Sequence, residues 1–140
     1  MITDFEWQNR FIDLAFHIAN WSKDPSRKVG AVLVNSNKQV IGMGYNGFAR
    51  GVDDDYYRYD DREQKYSMIV HAEVNAILNS NGDTRDSSLF CTLCPCPQCM
   101  AMCIQAGVKE VFYMDIWTPE TYDKASIQAK EAGVNLIQIL

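Results

Sequence analysis

The segment HAEVNAILNSNGDTRDSSLFCTLCPCPQC, residues 71–99, decides how this chain folds. Residues from Ala72 to about Asn79 carry apolar side chains at helical spacing and stop where Asn, Gly and Asp accumulate. Ser88 to Thr92 follows as an apolar run of strand length, and Pro97 opens a second helix that runs to about Ala106 and stops at Gly107. The alternation continues downstream. Glu110 to Met114 predicts a strand, Thr118-Pro119-Glu120 starts a helix to about Ala132 that Gly133 ends, and Val134 to Ile139 predicts a closing strand. Upstream, the β-rich runs Val29 to Val34 and Val40 to Tyr45 flank Asn35-Ser36-Asn37-Lys38 and predict an antiparallel hairpin. Asp4 is the expected cap of a first helix over roughly residues 5 to 21. Phe11, Leu14, Ala15 and Ile18 form its apolar stripe, Trp7 and Trp21 lie near its ends, and Asp24-Pro25 turns the chain after it. The order α-β-β-α-β-α-β-α-β predicts an α/β domain with a mixed five-stranded sheet and helices on its faces.

One connection stands apart. Asn46 to Ile69 is long for a domain of this size and holds five Asp, four Tyr and three Arg. Connections of that length are commonly functional or disordered, and four tyrosines argue for at least partial order. The 140 residues contain no internal repeat, low-complexity tract or linker, so residues 1–140 read as a single domain. Hydrophobic residues make up 47% and charged residues 22%, which excludes a disordered chain. No apolar run nears the ~18 to 20 residues of a bilayer span, and the start MITDFEWQNR lacks the charge pattern of a secretory leader, so a cytoplasmic protein is expected. A net charge of −5 argues against a long polynucleotide partner, which calls for a basic face, but leaves room for a mononucleotide.

Five cysteines are present, and Cys91, Cys94, Cys96 and Cys99 crowd into nine positions, which points to metal or redox chemistry rather than a disulfide framework. Cys96 and Cys99 fall three apart on the first turn of a predicted helix, where the positive helix end favours thiolates. His71 begins the other helix and adds a nitrogen. One nitrogen and two sulfurs suit a tetrahedral Zn²⁺ with its fourth position open, the arrangement of a catalytic site. A further thiolate from Cys91, Cys94 or Cys103 would close the site and make it structural; the alternative for these three is burial as small core residues. Glu73, two residues past His71, would sit near the metal without binding it, placed to take a proton from water and hand it to a leaving nitrogen. His17 reads as an ordinary helix residue.

The pair His71-Ala72-Glu73 and Pro95-Cys96-Pro97-Gln98-Cys99 resembles the zinc deaminase signature. With Ser22-Lys23-Asp24-Pro25-Ser26, Lys28-Val29-Gly30-Ala31, Gly42-Met43-Gly44-Tyr45-Asn46-Gly47-Phe48 and Thr92-Leu93, the chain from Ser22 to about Tyr113 resembles the deoxycytidylate (dCMP) deaminases. The resemblance implies a three-layer α/β/α sandwich and hydrolysis of dCMP to dUMP and ammonia. It implies that His71, Cys96 and Cys99 hold one zinc ion, that Glu73 shuttles protons, that Asn46 contacts the sugar and that Ala72 lies against the base. Ser26, Arg27 and Lys28 are the expected phosphate cluster. Arg27 stands where a common family form has Thr, and Ala49 replaces the Pro of Asn-Gly-Phe-Pro-Arg-Gly. Family members are often hexamers activated by dCTP and inhibited by dTTP, which implies a homo-oligomer with an effector pocket at Gly44, Tyr45, Asn46 and Gly47. Asp53-Asp54-Asp55 would neighbour a triphosphate only through Mg²⁺; the alternative is a solvated acidic turn.

Two other readings compete. A deaminase of another substrate (free cytidine, dCTP, or a base in RNA or DNA) would keep the zinc site, and a polynucleotide editor would add a basic groove and stacking aromatics, for which Tyr56, Tyr57, Tyr59 and Tyr66 are the available rings. A non-enzymatic zinc module would have no use for Glu73.

Overall fold

The computed structural model describes residues 1–140. A 16-residue helix α1 (Asp4–Ala19) leads into the hairpin β1 (Gly30–Val34) and β2 (Val40–Tyr45). The long connection follows as β3 (Gly47–Phe48), α2 (Tyr56–Asp60), α3 (Arg62–Met68) and β4 (Ile69–Val70). The alternating half is α4 (Ala72–Leu78), β5 (Ser88–Leu93), α5 (Pro97–Gln105), β6 (Glu110–Asp115), α6 (Pro119–Ala132) and β7 (Asn135–Gln138).

The main sheet has the order β2-β1-β5-β6-β7, with β1 antiparallel to β2 and β5, and β5, β6 and β7 mutually parallel. The period-two alternation of β1 decides the layers. Val32 and Val34 face α1 and pack with Phe11, Ile12, Ala15 and Ile18, joined by Phe90 and Phe112, whose rings stack at 4.6 Å. Ala31 and Leu33 face the other way, into a core shared with Ala72 and Ala76 of α4, Met100 and Cys103 of α5, and Ala125 and Ala129 of α6. One helix on one face and three on the other make the expected α/β/α sandwich.

Several boundaries move for identifiable reasons. Thr3, not Asp4, caps α1: its Oγ1 accepts from Glu6 N at 3.2 Å while the Glu6 carboxylate accepts from Thr3 N at 2.7 Å, a reciprocal pair that Asp4 cannot form. The helix stops at Ala19, leaving Trp21 outside it and exposed; its buried stripe includes Ile12 and Ala19, with Leu14 only partly buried. Val29 drops out of β1 because its N–H goes to the Asn46 side chain at 2.8 Å. Strand β7 starts one residue late because Val134 N bonds back to Ala129 O at 2.8 Å, closing α6 over a left-handed Gly133 with φ +76.

The long connection is ordered. Strands β3 and β4 pair antiparallel at its two ends, Phe48 packs on Tyr59 at 4.9 Å, and Asp61 caps α3 through Gln64 N. Its acidic run works internally: Asp53 accepts from the Tyr57 hydroxyl at 2.9 Å and from Asp55 N, and Asp54 pairs with Lys23 at 3.1 Å.

Candidate active site

His71 and Cys96 are both the residue before a helix, each with extended backbone that turns its side chain across the helix end. The strand β4 delivers His71, and Pro97 at the first helical position fixes the entry of α5. Both helix ends meet at the C-terminal side of the central strands. There His71 Nδ1 lies 3.1 Å from Cys99 Sγ and 3.5 Å from Cys96 Sγ, and the three ligand atoms fall within 4.8 Å of one another.

A tetrahedral Zn²⁺ with ordinary Zn–N and Zn–S bonds has nitrogen-to-sulfur edges of about 3.6 Å, so these separations fit the ion within half an ångström. The chemistry of the donors fits too. Cys96 Sγ accepts from the Cys99 side chain, from His71 and from Cys99 N at 3.4 Å, which together lower its thiol well below the ordinary range. Cys99 is pushed the other way, since two thiolates so close cannot both ionise without a cation between them. The contact to Cys96 raises His71 above its usual value. A zinc ion held by His71, Cys96 and Cys99 would resolve this conflict, since it binds both sulfurs as thiolates.

No fourth side chain joins the cluster. Cys91 and Cys103 are fully buried in the core beneath α4 and α5, with Cys91 Sγ donating to Phe112 O at 3.5 Å; Cys94 is buried beside the site but outside the ligand group. Three ligands and an open position are the catalytic form of a zinc site.

The cluster opens into a cavity of about 260 Å³. Glu73, on the first turn of α4, lines it at 3% exposure, and burial pushes its carboxyl up to about 7. Ala72 lines the cavity too, fully buried. Asn46 is also in the wall, with its amide orientation fixed: Oδ1 accepts from Val29 N, and Nδ2 donates to Arg27 O at 2.9 Å and Asp24 Oδ2 at 3.2 Å. A wider groove of about 610 Å³, between the β1–β2 turn and residues 81–86, contains neither His nor Cys.

The predicted phosphate cluster comes apart. Arg27 lines the cavity, its guanidinium 5.7 Å from the Trp117 ring and 3.3 Å from the Asp115 carboxylate. Ser26 and Lys28 are exposed and do not line it; the chain between Asp24 and Val29 turns them outward, with Ser26 N bonded to Asp24 Oδ1. Gly44, Tyr45 and Gly47 also lie outside the cavity: Gly44 is pressed under α4, and Tyr45 meets Trp21 edge-on at 6.2 Å. In their place the structure brings in Asp24, Lys65, Tyr66, Gln98, Trp117 and Thr121. Asp24 and Lys65 form a buried ion pair at 2.9 Å, and of these six only Asp24 and Gln98 lay in segments that the sequence had singled out as motifs.

Comparison with known proteins agrees with this geometry. Residues 5–115 match the family described as the cytidine and deoxycytidylate deaminase zinc-binding region. Human deoxycytidylate deaminase is 42% identical over 115 residues, a match that takes in 78% of this chain and 65% of the human one. A probable deoxycytidylate deaminase of Drosophila melanogaster is 39% identical over 144 residues, 95% of this chain and 70% of the fly protein. The chain thus spans just under two thirds of the human relative's length. Among solved structures, the dCMP deaminase of cyanophage S-TIM5, crystallised with dCMP and dUMP, superposes with a TM-score of 0.82 at 27% identity, covering 99% of this chain and 100% of the phage one. On its sequence match, its fold and its His-Cys-Cys centre, the chain belongs to the cytidine and deoxycytidylate deaminase family.

Proposed function

We propose that this protein hydrolyses dCMP to dUMP and ammonia. One observation carries the reading: a three-ligand metal cluster and a buried carboxyl share a single cavity sized for one nucleotide, with a guanidinium at its rim. The relatives named as deoxycytidylate deaminases, and the phage enzyme seen with dCMP and dUMP, support the choice of substrate.

His71, Cys96 and Cys99 would hold the zinc, which supplies a Lewis acid that makes water nucleophilic at neutral pH. Glu73 would move the two protons of that water, one to ring N3 and one to the 4-amino nitrogen, which leaves as ammonia while the water oxygen becomes the carbonyl oxygen on C4. The burial that desolvates Glu73 raises its hold on a proton, which suits a carboxyl that both takes and returns one. Ala72, without a side chain beyond Cβ, leaves a flat wall for the pyrimidine. Asn46 has both amide hydrogens engaged, so toward a ligand it presents only its remaining Oδ1 lone pair, which accepts from a sugar hydroxyl. Arg27 exchanges Asp115, a carboxylate 71% exposed, for the substrate phosphate, a stronger bidentate partner.

The test is ammonia release from dCMP, CMP, deoxycytidine and dCTP offered separately to the zinc-loaded protein. Preference for dCMP is expected; equal rates with deoxycytidine would remove the phosphate from the account. The proposal extends by resemblance to a cytoplasmic homo-hexamer activated by dCTP, with Mg²⁺ on the triphosphate, and inhibited by dTTP. Equal rates with and without the two triphosphates would remove that extension.

A further inference from the structure

Lys65 is a charged residue with 10% of its side chain exposed, held in the wall of the active-site cavity, and the deamination chemistry does not use it. It arrives on α3, from the long connection. Its Nζ lies 2.9 Å from both Oδ1 and Oδ2 of Asp24, whose side chain is 2% exposed. A pair this buried is costly to build: desolvating the two charges offsets most of their attraction, and a neutral pair of similar shape would hold the fold as well.

The contacts of Asp24 show what the pair holds. Oδ1 accepts from Ser26 N at 2.9 Å and Arg27 N at 3.4 Å, and Oδ2 accepts from Asn46 Nδ2 at 3.2 Å. Ser22 closes the loop from behind, its Oγ donating to Asn46 O at 2.8 Å and accepting from Asp24 N at 3.2 Å. Every arm of this network ends on a residue of the cavity wall or on the backbone beside it. Asp24 is one of the two acceptors of the Asn46 amide and also anchors the turn that supplies the other, Arg27 O, and Lys65 is the cation that holds Asp24 in place. Lys65 is not free to serve as the phosphate cation, since Asp24 neutralises it.

We propose that Lys65 is a positioning residue for the sugar end of the substrate: by clamping Asp24 it braces the turn whose Arg27 O and Val29 N, with Asp24 itself, hold the Asn46 amide. This rests on the dCMP reading for its substrate, and on geometry alone for its effect on Asn46. Replacing Asp24 by Asn puts a second NH₂ against Asn46 Nδ2. The Asn46 amide then loses one of its two acceptors, and the turn that supplies the other, Arg27 O, loses its anchor.

The test compares the native zinc-loaded protein with Lys65→Met, Asp24→Asn and the double variant. Each single change strands a buried charge and lowers Tm by on the order of 10 °C. The double change leaves no unpaired charge and regains most of that loss. Its KM for dCMP nevertheless stays raised on the order of tenfold, with the larger part of the effect in KM rather than kcat, because a binding contact remote from C4 has been loosened. Side-chain amide exchange by ¹⁵N NMR reads the same point without catalysis: the Asn46 NH₂ exchanges slowly in the native protein and faster in the double variant, which has lost the Asp24 acceptor. A double variant with native KM and native Asn46 protection would make the pair purely structural and overturn the proposal. So would one that fails to fold. Should the native protein turn over no dCMP, the functional reading falls by itself, and the amide exchange still decides whether Lys65 sets Asn46.

Discussion

A methyl group on Gly44 would stand 2.4 Å from Ala76 N and 2.5 Å from Ala72 O. Gly44→Ala therefore forces α4 off β2, and α4 carries Glu73 and follows directly on His71. A stability loss of about 1 to 3 kcal/mol is expected, with a fall in dCMP turnover; urea unfolding and initial rates read the two. An unchanged midpoint would show that the helix can shift freely. Arg27→Ala should raise the KM for dCMP about tenfold or more while leaving deoxycytidine turnover where it was, a difference that steady-state kinetics on the two substrates resolves. The residues to which the proposed mechanism assigns the chemistry were legible in the sequence because their spacing is local: His71 and Glu73 share one helix start, Cys96 and Cys99 another. Lys65, Trp117 and Thr121 were not, since nothing near them in the chain announces a cavity that forms only when α3 and the β6–α6 turn close over it.

Helix α6 shows how an element supports the centre without touching the metal ligands. Thr118 caps it through Thr121 N at 3.2 Å, and Gln128 Nε2 donates to Pro97 O at 3.0 Å, tying α6 to the first turn of α5. Thr118→Ala is expected to cost about 1 kcal/mol of stability, read by urea unfolding, with zinc content unchanged. Loss of bound zinc in a folded Thr118→Ala protein would show that the cap also sets the geometry of α5. Elements with strong punctuation were readable: Gly107, Gly133 and the Thr118-Pro119 start all fall where the helices begin or end. The connection from β2 to α4 was not. Helices α2 and α3 are five and seven residues long and polar over most of their surface, so no apolar period marks them. Their order comes from tertiary anchors instead, with Lys23–Asp54, Asp24–Lys65 and Ser22 Oγ to Asn46 O binding successive residues of one short segment to three parts of the insert.

The whole molecule carries a net charge of −5 and a cavity of about 260 Å³ at the His-Cys-Cys cluster, and no helix is long and apolar enough to cross a membrane. Cytosine in a single-stranded oligonucleotide should therefore not be deaminated, and binding to it should be undetectable at physiological salt. Fluorescence anisotropy with a labelled strand checks the second point. Turnover of the oligonucleotide at a rate near that of dCMP would move the protein to the editing branch of its family. The order of elements foretold helices on the faces of one sheet and the family resemblance implied the three layers; in the structure each core strand alternates between α1 on one side and α4 to α6 on the other. Composition bore on ligand size through charge alone, since the cavity is a property of packing.

The most direct test of the central claim is dCMP turnover by the native protein and by Glu73→Ala, with zinc content measured in both. Native turnover that falls about 10²- to 10⁴-fold in the variant, while each chain still binds zinc, is the predicted result for a carboxyl that moves the proton. A Glu73→Ala protein that keeps its zinc and deaminates dCMP at the native rate would contradict the account.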